Sequence, residues 1–165
     1  GTLDQYAFRQ YISELREKNR KFSLIFLTLP DISQEKLKRF SKQLLRKNDR
    51  FFEGSCCFRL EDNRVVLVYQ KEKNLDFNDR NTILYKEFVK VRENNDFYIV
   101  MMDSHSEFGM AQDYLAYCEY VESRIPINTY KTCTQELLDA FIKQNYIYQN
   151  QQNFLLHRYS ICRNR

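Results

Sequence analysis

The order of helical and strand-like patterns along the chain predicts an α+β or α/β sandwich. It has a mixed central sheet, an N-terminal helix and a long C-terminal helix. Three observations carry this reading. Apolar runs of strand length alternate with segments of helical periodicity. One pair of neighbouring strand runs is joined by a short polar turn, so a hairpin interrupts the alternation. Only three Gly and two Pro occur in 165 residues, too few for a loop-rich all-β fold.

Leu3, Tyr6, Ala7, Tyr11, Ile12 and Leu15 recur at helical spacing and predict a first amphipathic helix, ended by Asn19-Arg20-Lys21. Phe22 to Leu29 is a nearly continuous apolar run of strand length, as in a central strand buried on both faces, and Pro30 stops it. Ser33 can cap the next helix, whose apolar face is Leu37, Phe40, Leu44 and Leu45. Phe51 to Leu60 and Val65 to Tyr69 read as two strands joined by the polar turn Glu61-Asp62-Asn63-Arg64. Asp76 or Asn78 starts a third helix carrying Ile83, Leu84, Phe88 and Val91. Phe97 to Met102 is a strand, Phe108 to Ser123 a helix and Ile127 to Thr132 a short strand. Thr134 caps a long last helix. The βαββαβ stretch within this order is the ferredoxin-like arrangement, which hosts many functions and decides none of them.

Composition narrows the classes. The net charge of +4 is mild, and basic and acidic residues are interspersed, so charge alone does not point to nucleic acid or to a membrane surface. The longest apolar run lies around Leu24–Leu27, far short of a bilayer span. Five cysteines without CxxC or CxxH spacing argue against a zinc site or a disulfide framework and predict reduced thiols. Gly1 reads as a tag remnant, and the end at Arg163-Asn164-Arg165, inside a helical pattern, predicts a longer native protein.

Three segments together resemble the GGDEF family of bacterial diguanylate cyclases. Leu3 to Phe8 with Tyr11-Ile12 resembles its N-terminal "LTGLxNRRxFxxxL" signature. Phe22 to Ile32 resembles the strand ending in "DxDxF". Phe58 to Val68 resembles "RLGGDEFVVLL". The similarity covers roughly Thr2 to Tyr130 and implies a nucleotidyl-cyclase-like fold over residues 1–132. It also implies that residues 133–165 form a connector helix like the one leading into the phosphodiesterase domain of tandem GGDEF–EAL proteins.

The departures from the family pattern carry the functional expectation. In active members two carboxylates bind the metal ions that phosphoryl transfer requires. Those positions hold Thr28 and Arg64 here, and Pro30 stands at the second acidic position of the strand motif. Thr28 offers no charge to a divalent cation and Arg64 repels one. The two glycines that let backbone approach the guanine nucleotide are Glu61 and Asp62, followed by Asn63, Arg64 and Val65. The phosphate-contacting Lys of the family falls at Ser123, so only Arg124, one position on, is a candidate phosphate contact. The inhibitory RxxD positions hold Phe52 and Ser55. A remnant Arg46 and Asp49 lies six positions upstream (52 − 46) and is the candidate for cyclic di-GMP, against a plain solvated helix end.

Other constellations have ordinary readings. His105 after Asp103-Ser104 is a candidate base but reads better as a loop histidine. Cys56-Cys57 is a candidate redox pair but reads better as strand packing. Twelve Tyr and thirteen Phe could stack on RNA bases, but no RNP-like motif accompanies them. Leu138, Phe141, Asn145, Tyr148, Gln152, Leu155, Tyr159 and Cys162 keep alternating steps of three and four. They form a heptad seam that fits a second copy, a downstream domain or the chain's own core.

The expectation is therefore a non-catalytic regulatory module of cyclic di-GMP-type signalling, bacterial and cytoplasmic. It has no metal and no cofactor, and weak or absent nucleotide binding. Its partners are an EAL-like or other output domain, or a homodimer through the C-terminal helix, with no nucleic acid and no membrane insertion. Two alternatives stay open: an enzyme with an altered site that uses relocated acids such as Glu61 and Asp62, and a ferredoxin-like nucleic-acid-binding domain.

Overall fold

The computed structural model describes residues 4–51, 56–70, 86 and 94–145, with the backbone alone described at 45–51. The chain divides into two compact units, Gly1–Thr132 and Cys133–Arg165. The first unit is an α+β fold. Its elements are α1 (Gln5–Glu17), β1 (Phe22–Thr28), α2 (Gln34–Phe51), β2 (Cys56–Leu60), β3 (Arg64–Gln70), β4 (Tyr98–Asp103), α3 (Ala111–Glu122) and β5 (Thr129–Thr132). In the second unit residues 135–145 are helical (α4), and Leu137 N donates to the capping Thr134 Oγ1 at 3.3 Å.

The sheet order is β2-β3-β1-β4-β5. β1 pairs antiparallel with β3 and with β4, and β2 pairs antiparallel with β3. β4 and β5 are parallel, so the sheet is mixed. β1 is central, and all seven of its residues are buried. Alternation along β1 sends Ile25 and Leu27 to one face, where they join Leu37, Phe40 and Leu44 of α2 with Val65, Leu67, Ile99 and Met101. Phe22, Leu24 and Phe26 point to the other face, covered by α1 and α3. Phe26 meets Phe8 of α1 edge-on at 6.4 Å, and Phe22 meets Tyr114 of α3 at 5.5 Å. Two apolar cores thus share one strand.

The outer edge of β2 is closed by the residues that start α1. Asp4 N donates to Arg59 O at 2.7 Å, Arg59 N donates to Asp4 Oδ2 at 3.3 Å, and Glu61 N donates to Gln5 Oε1 at 3.2 Å. These bonds occupy groups that would otherwise template another strand.

Asparagine and aspartate take the left-handed corners in this glycine-poor chain. Asn19, Asp62, Asn63 and Asn128 have φ of 53°, 59°, 56° and 64°, a region these side chains tolerate better than most. Asn19 ends α1 in a Schellman closure, with Arg20 N bonded to Leu15 O at 2.9 Å and Asn19 N to Arg16 O at 3.0 Å. Asn63 pins the β2–β3 turn to the segment after β1. Its Nδ2 donates to Pro30 O at 2.9 Å, its Oδ1 accepts from Gln34 Nε2 at 2.8 Å, and its carbonyl accepts from Leu29 N at 3.0 Å.

Three boundaries differ from the sequence expectation by two residues or more. Phe51 belongs to α2 and not to a strand, because the helix runs its full register before β2 starts at Cys56. α3 starts at Ala111 and not Phe108, because Asp113 Oδ2 reaches back to cap Gly109 N at 2.7 Å and Met110 N at 3.1 Å. β5 starts at Thr129 and not Ile127, because Asn128 is left-handed and breaks the extended run. The expected helix carrying Ile83, Leu84, Phe88 and Val91 lies outside the described residues, as does the heptad seam from Tyr148 onward. Among the described residues no helix is long and apolar enough to cross a membrane.

Asn63 tests the turn. Asn63→Ala loses two side-chain hydrogen bonds and forces a Cβ-bearing residue without a polar anchor into the left-handed region, so it should cost about 2 kcal/mol. Asn63→Gly keeps the backbone freedom and should cost about 1 kcal/mol in urea unfolding. Equal costs would show that the φ of Asn63 carries no strain.

Candidate functional site

Register assembles the site at one end of the sheet. Arg64 opens β3 immediately after the turn. It lies opposite Thr28 of β1 and Leu60 of β2, and Thr28 in turn lies opposite Tyr98 of β4. Cross-strand partners share a face, so Arg64 and Thr28 stand side by side on the face covered by α1 and α3. The last turn of α3 brings two carboxylates to the same place.

Arg64 and Glu122 form a buried ion pair. Arg64 Nη2 donates to Glu122 Oε1 at 2.6 Å and Nε to the same oxygen at 3.2 Å. Arg64 Nη1 reaches Glu119 Oε1 at 3.4 Å and lies 3.6 Å from Asp62 Oδ2. The side chains of Arg64 and Glu122 are only 10% and 8% exposed, whereas Glu119 and Asp62 are 57% and 75% exposed. The first pair therefore dominates; the other two contacts are screened by solvent and contribute little. Burial works against the charge on Arg64, yet the Glu122 carboxylate, with smaller help from Cys118 and Glu119, outweighs it and raises the guanidinium pKa further.

The helix end explains why a cation is needed there. α3 has no basic residue in its last turn, while Glu119 and Glu122 add negative charge to the negative end of its dipole. Arg64 supplies from β3 the positive charge that the helix lacks. Two oxygens in this region are buried without a hydrogen-bond partner among the described residues: Thr28 Oγ1 and Glu122 Oε2.

The other sequence candidates are placed as follows. Pro30 is exposed, and its carbonyl serves Asn63. Glu61 is exposed. Asp62 takes the left-handed φ of 59° at a position where the resembled family has glycine. Val65 faces the opposite core and is fully buried. Arg46 and Asp49 lie on α2 with their side chains outside the description, and Phe52 and Ser55 lie outside the described residues. Arg124 does not join the Arg64 cluster. It donates to Tyr120 O at 3.3 Å and to Ser123 Oγ at 3.0 Å, and its guanidinium carbon lies 3.6 Å from the Tyr120 ring centroid. His105 accepts Glu107 N on Nδ1 at 3.2 Å and donates its amide to Tyr114 Oη at 3.0 Å, which is the work of a loop residue. Burial pushes the Cys57 thiol up from its ordinary value near 9 to about 12, with Asp4 adding to the shift.

Glu122 was not among the residues singled out from sequence, although a signal was present. It follows Val121 and stands four positions after Cys118, on the buried stripe of α3. A carboxylate on an apolar stripe requires a buried partner.

The residues at this site do not fit a divalent metal. A guanidinium occupies its centre, and among the described residues no group of three or more His, Cys, Asp or Glu is placed to hold one. Comparison with protein-family models, curated proteins and solved structures finds no match to this chain.

A double-mutant cycle measures the ion pair. Arg64→Met and Glu122→Leu should each cost roughly 3 kcal/mol, because each strands a buried charge, while the double variant should cost much less than their sum. Glu119→Ala should cost under about 1 kcal/mol. Additive costs in urea unfolding would mean that the two charges do not depend on each other. For Cys57, a folded pKa above the unfolded value leaves stability intact below pH ~9 and erodes it as pH rises toward about 12. Burial disfavours the Cys57 thiolate, so at pH 8 iodoacetamide should label this residue far more slowly in the folded chain than in urea.

Proposed function

We propose that this chain is a degenerate GGDEF-like module, without cyclase chemistry, that regulates an attached output domain in cyclic di-GMP-type bacterial signalling. The observation that carries the reading is the buried Arg64–Glu122 pair beside Thr28. It fills with internal charge the place where the resemblance calls for carboxylates and metal ions. Phosphoryl transfer between nucleotides needs cations that neutralise the triphosphate. An arginine that is already spent on Glu122 and Glu119, with Glu61 and Asp62 exposed on the turn beside it, offers neither cations nor a receptive surface.

The fold supports the same reading. The antiparallel order β2-β3-β1-β4, with β1 and β2 parallel across β3, agrees with a ferredoxin-like βαββαβ core. Asp62 and Asn63 adopt positive φ, so the turn keeps its hairpin shape without glycine, yet the side chains of Glu61 and Asp62 stand where the family keeps bare backbone. The helix that follows Thr134 is then the coupling element, toward an EAL-like domain or a second copy in the cytoplasm.

Incubation with GTP and Mg²⁺ or Mn²⁺ should yield no cyclic di-GMP, and GTP should bind with a dissociation constant weaker than roughly 10 μM. Product from the pure chain, lost in Arg64→Met, would instead make this an active enzyme with a rebuilt site.

A further inference from the structure

The surroundings of Arg64 have the form of a recognition site whose ligand is part of the chain. Three of its nitrogens meet carboxylate oxygens. Nε and Nη2 share Glu122 Oε1, at 3.2 and 2.6 Å, while Nη1 turns to Glu119 at 3.4 Å and Asp62 at 3.6 Å. The carboxylates come from two elements: Asp62 from the turn, Glu119 and Glu122 from the end of α3. They are spread around a planar, forked cation and are not gathered onto a point, consistent with the lack of any metal-sized cluster among the described residues. Two further groups point to a built pocket. Thr28, 5% exposed and in register with Arg64, keeps a buried hydroxyl without a partner among the described residues, and so does the second oxygen of Glu122.

We infer that Glu122, with Glu119 and Asp62 on its solvent side and Thr28 next to it in register, forms a guanidinium-binding site of which Arg64 is the tethered occupant. The pocket takes an organic cation of forked shape in preference to a divalent metal. The inference stands on this geometry and does not depend on the family resemblance. It gives Arg64 a role beyond pairing one charge: it closes the pocket, joins the β2–β3 turn to the end of α3, and removes the need for any exchangeable ion there. A pocket whose ligand is covalently attached pays no association entropy, so it can persist with a partner set that would bind a free cation only weakly.

Chemical rescue tests this in the full chain. Arg64→Ala should lower the thermal midpoint by on the order of 10 °C. Methylguanidinium at about 10 mM, far below denaturing concentration, should raise it again by about 4 °C and saturate, as expected for a millimolar site. Wild-type protein should not respond. Glu122→Gln added to Arg64→Ala should abolish the rescue, and CaCl₂ should do no more than NaCl of equal ionic strength. If Arg64→Ala does not fold alone, it should refold from urea with methylguanidinium and not with NaCl. The inference fails if no saturable rescue or refolding is seen, if the rescue survives Glu122→Gln, or if Ca²⁺ rescues better than methylguanidinium.

Discussion

Burying one strand from both sides is the constraint on which the rest of the first unit depends. β1 presents apolar side chains to each face of the sheet, and neither face can be left to water. Burial of side chains such as Phe26, Leu24, Ile25 and Leu27 is worth roughly 1.5–3 kcal/mol each. α1 and α3 must therefore cover one face and α2 the other. The strand order follows from the same demand, since β3 and β4 flank β1 and seal its backbone hydrogen bonds on both edges. The sheet then needs protection only at β2 and β5, and Asp4 with Gln5 covers the β2 edge.

That arrangement sets the problem which Arg64 and Glu122 solve. The apolar face under α1 and α3 runs out at the end of β1, where Thr28 and Arg64 lie side by side. A charge this deeply placed is tolerated only with a partner. α3 arrives there with two glutamates and an uncompensated negative dipole end. Each element brings a charge that would be costly alone, and packing them together makes each the other's solution. Turn, strand and helix end are thereby tied into one polar joint within a mostly apolar layer.

Much of this was readable from local pattern, and the part that was not is long-range. The apolar run Phe22 to Leu29 announced a central strand, and the polar turn Glu61–Arg64 between two strand-like runs announced the hairpin, because both signals lie within a few residues. The start of β2 was misplaced because Phe51 looks like a strand residue, although α2 holds it in its last turn. The pairing of Arg64 with Glu122 spans 58 residues and depends on how α3 crosses the sheet. Periodicity could flag Glu122 as a carboxylate on a buried stripe, but only the fold names its partner. The resemblance drew attention to Thr28 and Arg64 for the chemistry they lack. What fills the space instead was not contained in it.

The consequence for function turns on where a positive charge can come from. A site that stabilises phosphate or a developing oxyanion needs cations free to face the ligand. At this end of the sheet Arg64 faces inward, and its three described partners are all protein carboxylates. Arg124, past the end of α3, is engaged with Tyr120 and Ser123. A phosphate drawing on Arg64 would have to displace Glu122 and leave that carboxylate buried and unpaired, a penalty of several kcal/mol before any favourable contact forms. The pair that ties the β2–β3 turn to the end of α3 thus keeps the guanidinium of Arg64 turned toward the protein and away from any ligand at this end of the sheet.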